Sequence, residues 1–176
     1  MNRKTILSAL FFALSIGQVA AQLLCIPTVQ EQKLAQGTVE VEKFATITYD
    51  DASLQSVADY LSKGWENTNS TSLMKKGAPN AIFLSLLPLK GAGGSFGDES
   101  YRLTISPKGI TIQAASKRGV LWGAQTLLQM KETHFVSDGG VRKRLLPCIT
   151  ITDKPDYPIR GFMLDCGRKF YPISYL

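Results

Sequence analysis

Between Asp51 and Asp153 the apolar residues change spacing several times, and each change marks an element. Leu54, Val57, Ala58, Leu61 and Trp65 recur at the spacing of one helical face. This predicts a helix capped by Asp51 or Ser53 and stopped near Gly64 and Asn67. Asn67 to Pro79 reads as polar loop. The run Ala81 to Leu87 is continuously apolar and bounded by Pro79 and Pro88, as expected of a central strand covered on both faces. Strict alternation follows at Tyr101, Leu103 and Ile105. A turn at Pro107-Lys108-Gly109 leads to a second alternation at Ile110, Ile112 and Ala114, which predicts a hairpin.

Helical spacing returns after Ser116, a natural N-cap, with Val120, Leu121, Ala124, Leu127, Leu128 and Met130 apolar through about Lys131. Trp122 is expected to pack as well, and Gly119 and Gly123, one turn apart, predict a close approach by a neighbour. Leu145, Leu146, Cys148, Ile149 and Ile151 form a further strand, and Asp153 to Pro158 a linker. Upstream, Val39, Val41, Phe44, Thr46, Thr48 and Tyr49 give one or two strands within Thr38 to Tyr49, whereas Gln22 to Gly37 lacks periodicity. Strands, a hairpin and two helices without repeats predict an α+β domain with a mixed or antiparallel sheet and its helices packed on one face.

The first residues have the pattern of an export leader: Arg3 and Lys4, an apolar stretch Ile6 to Ile16, then Val19-Ala20-Ala21. Cleavage after Ala21 is expected, giving an exported protein, periplasmic or extracellular, with no membrane association. An anchor helix fits less well because Gln18 interrupts the run, and a lipoprotein fits less well because Leu24 precedes Cys25. The net charge of +6 would fall to +4 as Arg3 and Lys4 leave. Lys75-Lys76 and Arg142-Lys143-Arg144 are not interleaved with aromatics, which argues against nucleic acid as a partner.

Candidate chemistry is sparse. The stretch GAGGSFGDES lacks the Gly-Lys-Ser/Thr of a phosphate loop and reads as a connector. His134, the single histidine, has no carboxylate or cysteine at ligand spacing, so no metal is expected. Asp50-Asp51 and Asp98-Glu99 read as caps or turns. Asn69-Ser70-Thr71 is a formal glycosylation sequon. Among Cys25, Cys148 and Cys166 a Cys25–Cys148 bridge is open in an oxidising compartment, and Cys166 reads as a small buried hydrophobe. No pair of acids stands in an apolar setting. The last stretch, PIRGFMLDCGRKFYPISYL, looks like a buried strand delivering polar residues to a pocket.

Three stretches carry a resemblance: IPTVQEQKLAQGT from Ile26, GDESYRLTISPKGITIQAASKRGVLWGAQTLLQM from Gly97, and LPCITITDKPDYPIRGFMLDCGRKFYP from Leu146. In this order they resemble the N-terminal region of family 20 glycoside hydrolases, the exo-acting β-N-acetylhexosaminidases. After the leader over 1–21, the resemblance implies a non-catalytic, zincin-like α+β domain over 22–153. Residues 154–176 would then be the linker and first strand of a catalytic (β/α)8 barrel, the intramolecular partner. It implies that Arg168 hydrogen-bonds hydroxyls of a terminal β-linked N-acetylhexosamine, its fork matching adjacent oxygens. Asp165 and Arg160 would be structural, Asp165 pairing with Arg168 or Arg160 or touching substrate. Lys169 replaces a histidine common in the family. No cofactor is implied. The family's Asp-Glu pair, which supports attack by the sugar's own acetamido oxygen, belongs to a later barrel strand. The chain alone is therefore expected to be inactive, with Gly161 to Leu176 lacking sheet partners. The competing readings are a carbohydrate-binding or interaction module, and a zinc peptidase, which the missing His-Glu-x-x-His disfavours.

Overall fold

The structure, a computed structural model, describes residues 25–66, 70–74, 78–87, 99–138, 141–157, 159–161, 163–165, 167, 170 and 172. The leader, Asn69 of the sequon, most of the glycine-rich connector, Cys166, Arg168 and Lys169 lie outside the described residues. Among the described residues, eight strands and two α-helices follow in the order β1 (Glu31–Glu40), β2 (Thr46–Tyr49), α1 (Gln55–Trp65), β3 (Ser70–Leu73), β4 (Ala81–Leu86), β5 (Tyr101–Ser106), β6 (Gly109–Ala114), α2 (Lys117–Thr133), β7 (Phe135–Asp138) and β8 (Val141–Asp153).

The sheet runs β1-β8-β5-β6-β4-β2-β3, with β7 paired to β8 off this path. The hairpin β5–β6 is antiparallel, as are β5–β8 and β1–β8, whereas β6–β4, β4–β2 and β2–β3 are parallel. The sheet is therefore mixed, the two halves meeting at β6. Register aligns two apolar rows across five strands. One runs Ile149, Ile105, Ile110, Ile82, Ile47; the other Ile151, Leu103, Ile112, Leu84, Tyr49. All ten side chains are buried. The period-2 alternation of each strand sends these rows to one face.

Both helices cover these rows. α1 buries Val57, Ala58, Leu61 and Trp65, and α2 buries Val120, Ala124, Leu127 and Met130. Trp65 satisfies its indole N–H on the Phe44 carbonyl at 2.8 Å. Ser116 caps α2, its Oγ accepting from the Gly119 N–H at 3.2 Å. Asp51 caps a 3-10 turn, Ala52–Leu54, by accepting from the Ser53 N–H at 2.8 Å. The predicted close approach is present at Gly123: a Cβ there would lie 2.5 Å from Ile112 Cγ2. Lys131 is fully buried, its Nζ donating to the Gly64 carbonyl at 2.7 Å, where it answers the partial negative charge at the end of α1.

Three elements depart from the sequence expectation. β1 begins at Glu31, well before Thr38, although nine of its ten side chains are exposed. It is an edge strand held by its ladder to β8, so it needs no apolar pattern. β3 lies in the expected polar loop as a parallel edge strand beside β2. β7 pairs with a β8 that starts at Val141, earlier than Leu145. The Cys25–Cys148 bridge is also corrected: both cysteines are free and buried. Cys25 feels the charge of Asp153, whereas Cys148 faces Gly37.

Among the described residues no helix is long and apolar enough to cross a membrane. Those of 159–172 belong to no strand, and Ile159, Met163 and Phe170 are exposed.

Candidate functional site

Beyond the end of β8, residues 154–157 and Arg160 face the middle of α2, from Trp122 to Gln129. Ile26, Pro27, Trp122, Gln129, Asp153 and Tyr157 are among the residues lining a cavity of about 510 Å³ there. Its polar walls are already engaged with one another. Gln129 accepts from the Ile26 N–H at 2.9 Å and donates to the Ile26 carbonyl at 3.0 Å. Gln30 donates its backbone N–H to Asp153 and its amide Nε2 to Asp156 at 2.8 Å. Tyr101 donates to Asp153 Oδ2 at 3.0 Å and lies 2.6 Å from Thr126 Oγ1.

Burial pushes the Tyr101 phenol well above its ordinary value; the Thr126 hydrogen bond opposes this and the Asp153 charge adds to it. Burial likewise raises the Cys25 thiol, reinforced by Asp153. Both groups are therefore held protonated beside a carboxylate.

At the mouth of the cavity Glu99, two residues before β5, gathers three donors. Trp122 Nε1 reaches Oε2 at 2.9 Å, Arg118 Nη1 reaches Oε1 at 3.0 Å, and Arg160 Nη2 closes on Oε2. The Arg160 guanidinium also sits 5.7 Å from the centroid of the Trp122 ring. Burial alone would raise the Glu99 carboxyl, yet hydrogen bonds from Trp122, Arg118 and Arg160, with the charge of Arg160, leave it below the ordinary carboxylate range.

The sequence-predicted residues are placed as follows. Arg160 pairs with Glu99 and donates to the Tyr157 carbonyl at 2.5 Å. Asp165 accepts from the Gly167 N–H at 2.8 Å, closing its own turn. Arg160, one of the two arginines expected as a partner for Asp165, is paired with Glu99 instead, a residue whose sequence setting predicts a turn. Arg168 lies outside the described residues. Trp122 packs, as expected, but its edge and face are both used by polar partners. No local spacing signals the Glu99 cluster, because its members come from positions 99, 118, 122 and 160.

Asp50 accepts from Ser85 Oγ at 2.6 Å and the Leu86 N–H at 2.9 Å, tying β2 to β4. His134 sits at the end of α2, its backbone N–H on the Met130 carbonyl at 3.0 Å. Among the described residues no group of three or more His, Cys, Asp or Glu could hold a metal ion. On the outer sheet face, a patch lined by Glu31, Lys33, Arg102, Thr104, Thr150 and Thr152 is polar and has no aromatic side chain in its lining for stacking a sugar ring. What the described residues can do is hold chain segments together; no carboxylate is poised opposite another across a reacting group.

Residues 23–154 match the family model described as glycosyl hydrolase family 20, domain 2. A β-hexosaminidase of Akkermansia muciniphila is 37% identical over 78 residues, covering 44% of this chain and 15% of the relative. A β-hexosaminidase of Porphyromonas gingivalis is 29% identical over 157 residues, covering 85% of this chain and 19% of the relative. In solved structures, a mutant Streptomyces plicatus β-hexosaminidase in complex with its product GlcNAc superposes with a TM-score of 0.63 at 28% identity, covering 84% of this chain and 29% of that one. The chain thus spans less than a third of each of these relatives.

Proposed function

We propose, for a chain that belongs to glycosyl hydrolase family 20 through that family's domain 2, that it is the non-catalytic accessory domain of an exported exo-β-N-acetylhexosaminidase. The reaction assigned to the parent protein is removal of terminal β-linked N-acetylhexosamine. The observation that carries this reading is the match over 23–154, which ends where the chain leaves β8 and turns polar-to-apolar again at Ile159 to Leu164. The GlcNAc bound by the Streptomyces plicatus relative supports the sugar class.

Residues 154–176 act in this reading as linker and first strand of the catalytic barrel. A barrel gathers its active site at the C-terminal ends of its strands, which is where Asp165 and Arg168 would stand. Arg168 contributes a planar fork to two neighbouring sugar hydroxyls. Protonation of the leaving oxygen and orientation of the acetamido group fall to an Asp-Glu pair beyond residue 176, since a barrel requires about 250 residues. Cleavage after Ala21 delivers the protein to the periplasm or medium.

Binding of sugar by the accessory domain alone is not favoured: the Trp122 edge is taken by Glu99 and its face by Arg160. The coding DNA read onward from the Leu176 codon tests the proposal. A frame continuing into a barrel with an adjacent Asp-Glu pair supports it, and an immediate stop overturns it as the function of this gene product.

A further inference from the structure

We propose that Glu99 is a positioning residue: by clamping Arg160 against Trp122 it fixes the point and direction in which the chain leaves the accessory domain, and so aims the strand that carries Asp165 and Arg168. This rests on the reading above that residues from 154 onward enter the barrel.

The clamp is anchored on the rigid side. Glu99 directly precedes Ser100 and β5, whose first residue, Tyr101, is registered to both Ala114 on β6 and Asp153 on β8. Trp122 lies in the second turn of α2, and the neighbouring Gly123 is wedged against Ile112 and Tyr101, so the indole cannot drift from the sheet. The Glu99 side chain is only 14% exposed. On the other side Arg160 is restrained three ways: by the carboxylate, by the ring face at 5.7 Å, and by its own bond to the Tyr157 carbonyl. A guanidinium suits this because its planar fork can bind a carboxylate while lying over an aromatic ring.

Among the described residues, the last hydrogen bond from the exit segment to the domain is that of Arg160 on Glu99. The previous one is Gln30 on Asp156, and after Arg160 a Cβ at Gly161 would meet nothing within 4 Å. Arg160 therefore acts as the pivot. Eight residues reach at most about 26 Å when extended, so a small rotation at Arg160 moves Arg168 by ångströms. Misplacement of about 1 Å can cost about a hundredfold in rate. Partly exposed ion pairs add little to stability, so the cluster's consequence is geometric more than energetic.

The test uses the 176-residue chain. Arg160–Gly161 is a trypsin site, and its cleavage tracks the population in which the segment is released. Glu99→Gln keeps the size and removes the charge; it is expected to speed cleavage after Arg160 about threefold, as loss of a partly exposed ion pair implies. The melting temperature and the cleavage rate after Lys63 should stay as in wild type. In a Trp65→Phe background, Trp122 emission should shift on the same substitution. Arg118→Gln, which leaves the Arg160 bond in place, should preserve protection and controls for loss of charge alone. Unchanged cleavage after Arg160 in Glu99→Gln, or equal acceleration at every site, overturns the clamp. Neither result bears on the enzyme reading, which the DNA beyond Leu176 decides separately.

Discussion

Gly123 gives the sharpest test of how α2 sits on the sheet. By helix propensity alone, Gly123→Ala should stabilise α2 by about 1 kcal/mol. The structure predicts the opposite. A Cβ would lie 2.5 Å from Ile112 Cγ2 and 3.1 Å from Tyr101 Cδ2, where carbon atoms settle at about 3.5–4.0 Å. Ile112 is fully buried on β6, its Cγ2 is bonded directly to Cβ, and a β-branched side chain has little freedom at χ1. The clash is therefore relieved only by lifting α2 from β6 by about 1 Å, and overpacking of this kind costs about 1–3 kcal/mol. Because relief involves backbone, the upper part of that range applies and leaves a net loss of about 1–2 kcal/mol after the propensity gain. That corresponds to a fall in melting temperature of roughly 2–8 °C.

Gly64→Ala in α1 is the control: its Cβ would meet the Leu128 δ-methyls at 2.8 and 2.9 Å. These are the free end of a partly buried side chain that can swing away, so the variant should melt within about 2 °C of wild type or above it. Thermal melts followed by circular dichroism at 222 nm decide the matter. A Gly123→Ala protein that melts at or above wild type would refute the proposed close packing.

Two further outcomes follow from buried groups. Thr48 is fully buried with its hydroxyl unpartnered, so Thr48→Val, of nearly the same shape, should raise stability by about 1 kcal/mol in urea unfolding. Cys25 and Tyr101 are both raised in the folded state, so the stability they contribute is complete below their ordinary values of 9.0 and 10.0 and is lost as pH rises beyond them. Urea midpoints should therefore be level from about pH 7 to 8 and drop above about pH 9, the drop at pH 10 shrinking in Cys25→Ala.

The legible parts of the fold are those held by burial. The β5–β6 hairpin shows in the sequence because its alternation places Leu103 and Ile112, then Ile105 and Ile110, opposite one another on the helix-covered face. α2 shows because Ser116 caps it and its apolar stripe faces the same rows. The edge strands are invisible for the converse reason. β1 exposes nearly every side chain, contains Gly37 at φ +97° within a register shift between Leu34 and Thr38, and is specified by backbone pairing with β8. β3 and β7 have four residues each, too few for periodicity to register. The Glu99 cluster was hidden for another reason: its carboxylate and its three donors meet only after β5 and α2 have packed and the exit segment has crossed them. The resemblance supplied Arg160 as a structural residue, but only the fold supplies its partner.

The most direct test of the central claim, that this chain holds and aims a catalytic barrel without catalysing, is to incubate the purified 176-residue protein with 4-nitrophenyl N-acetyl-β-glucosaminide while monitoring its fold by circular dichroism. The account predicts a cooperatively melting protein that releases 4-nitrophenol no faster than buffer. Saturable release by the folded chain would contradict it.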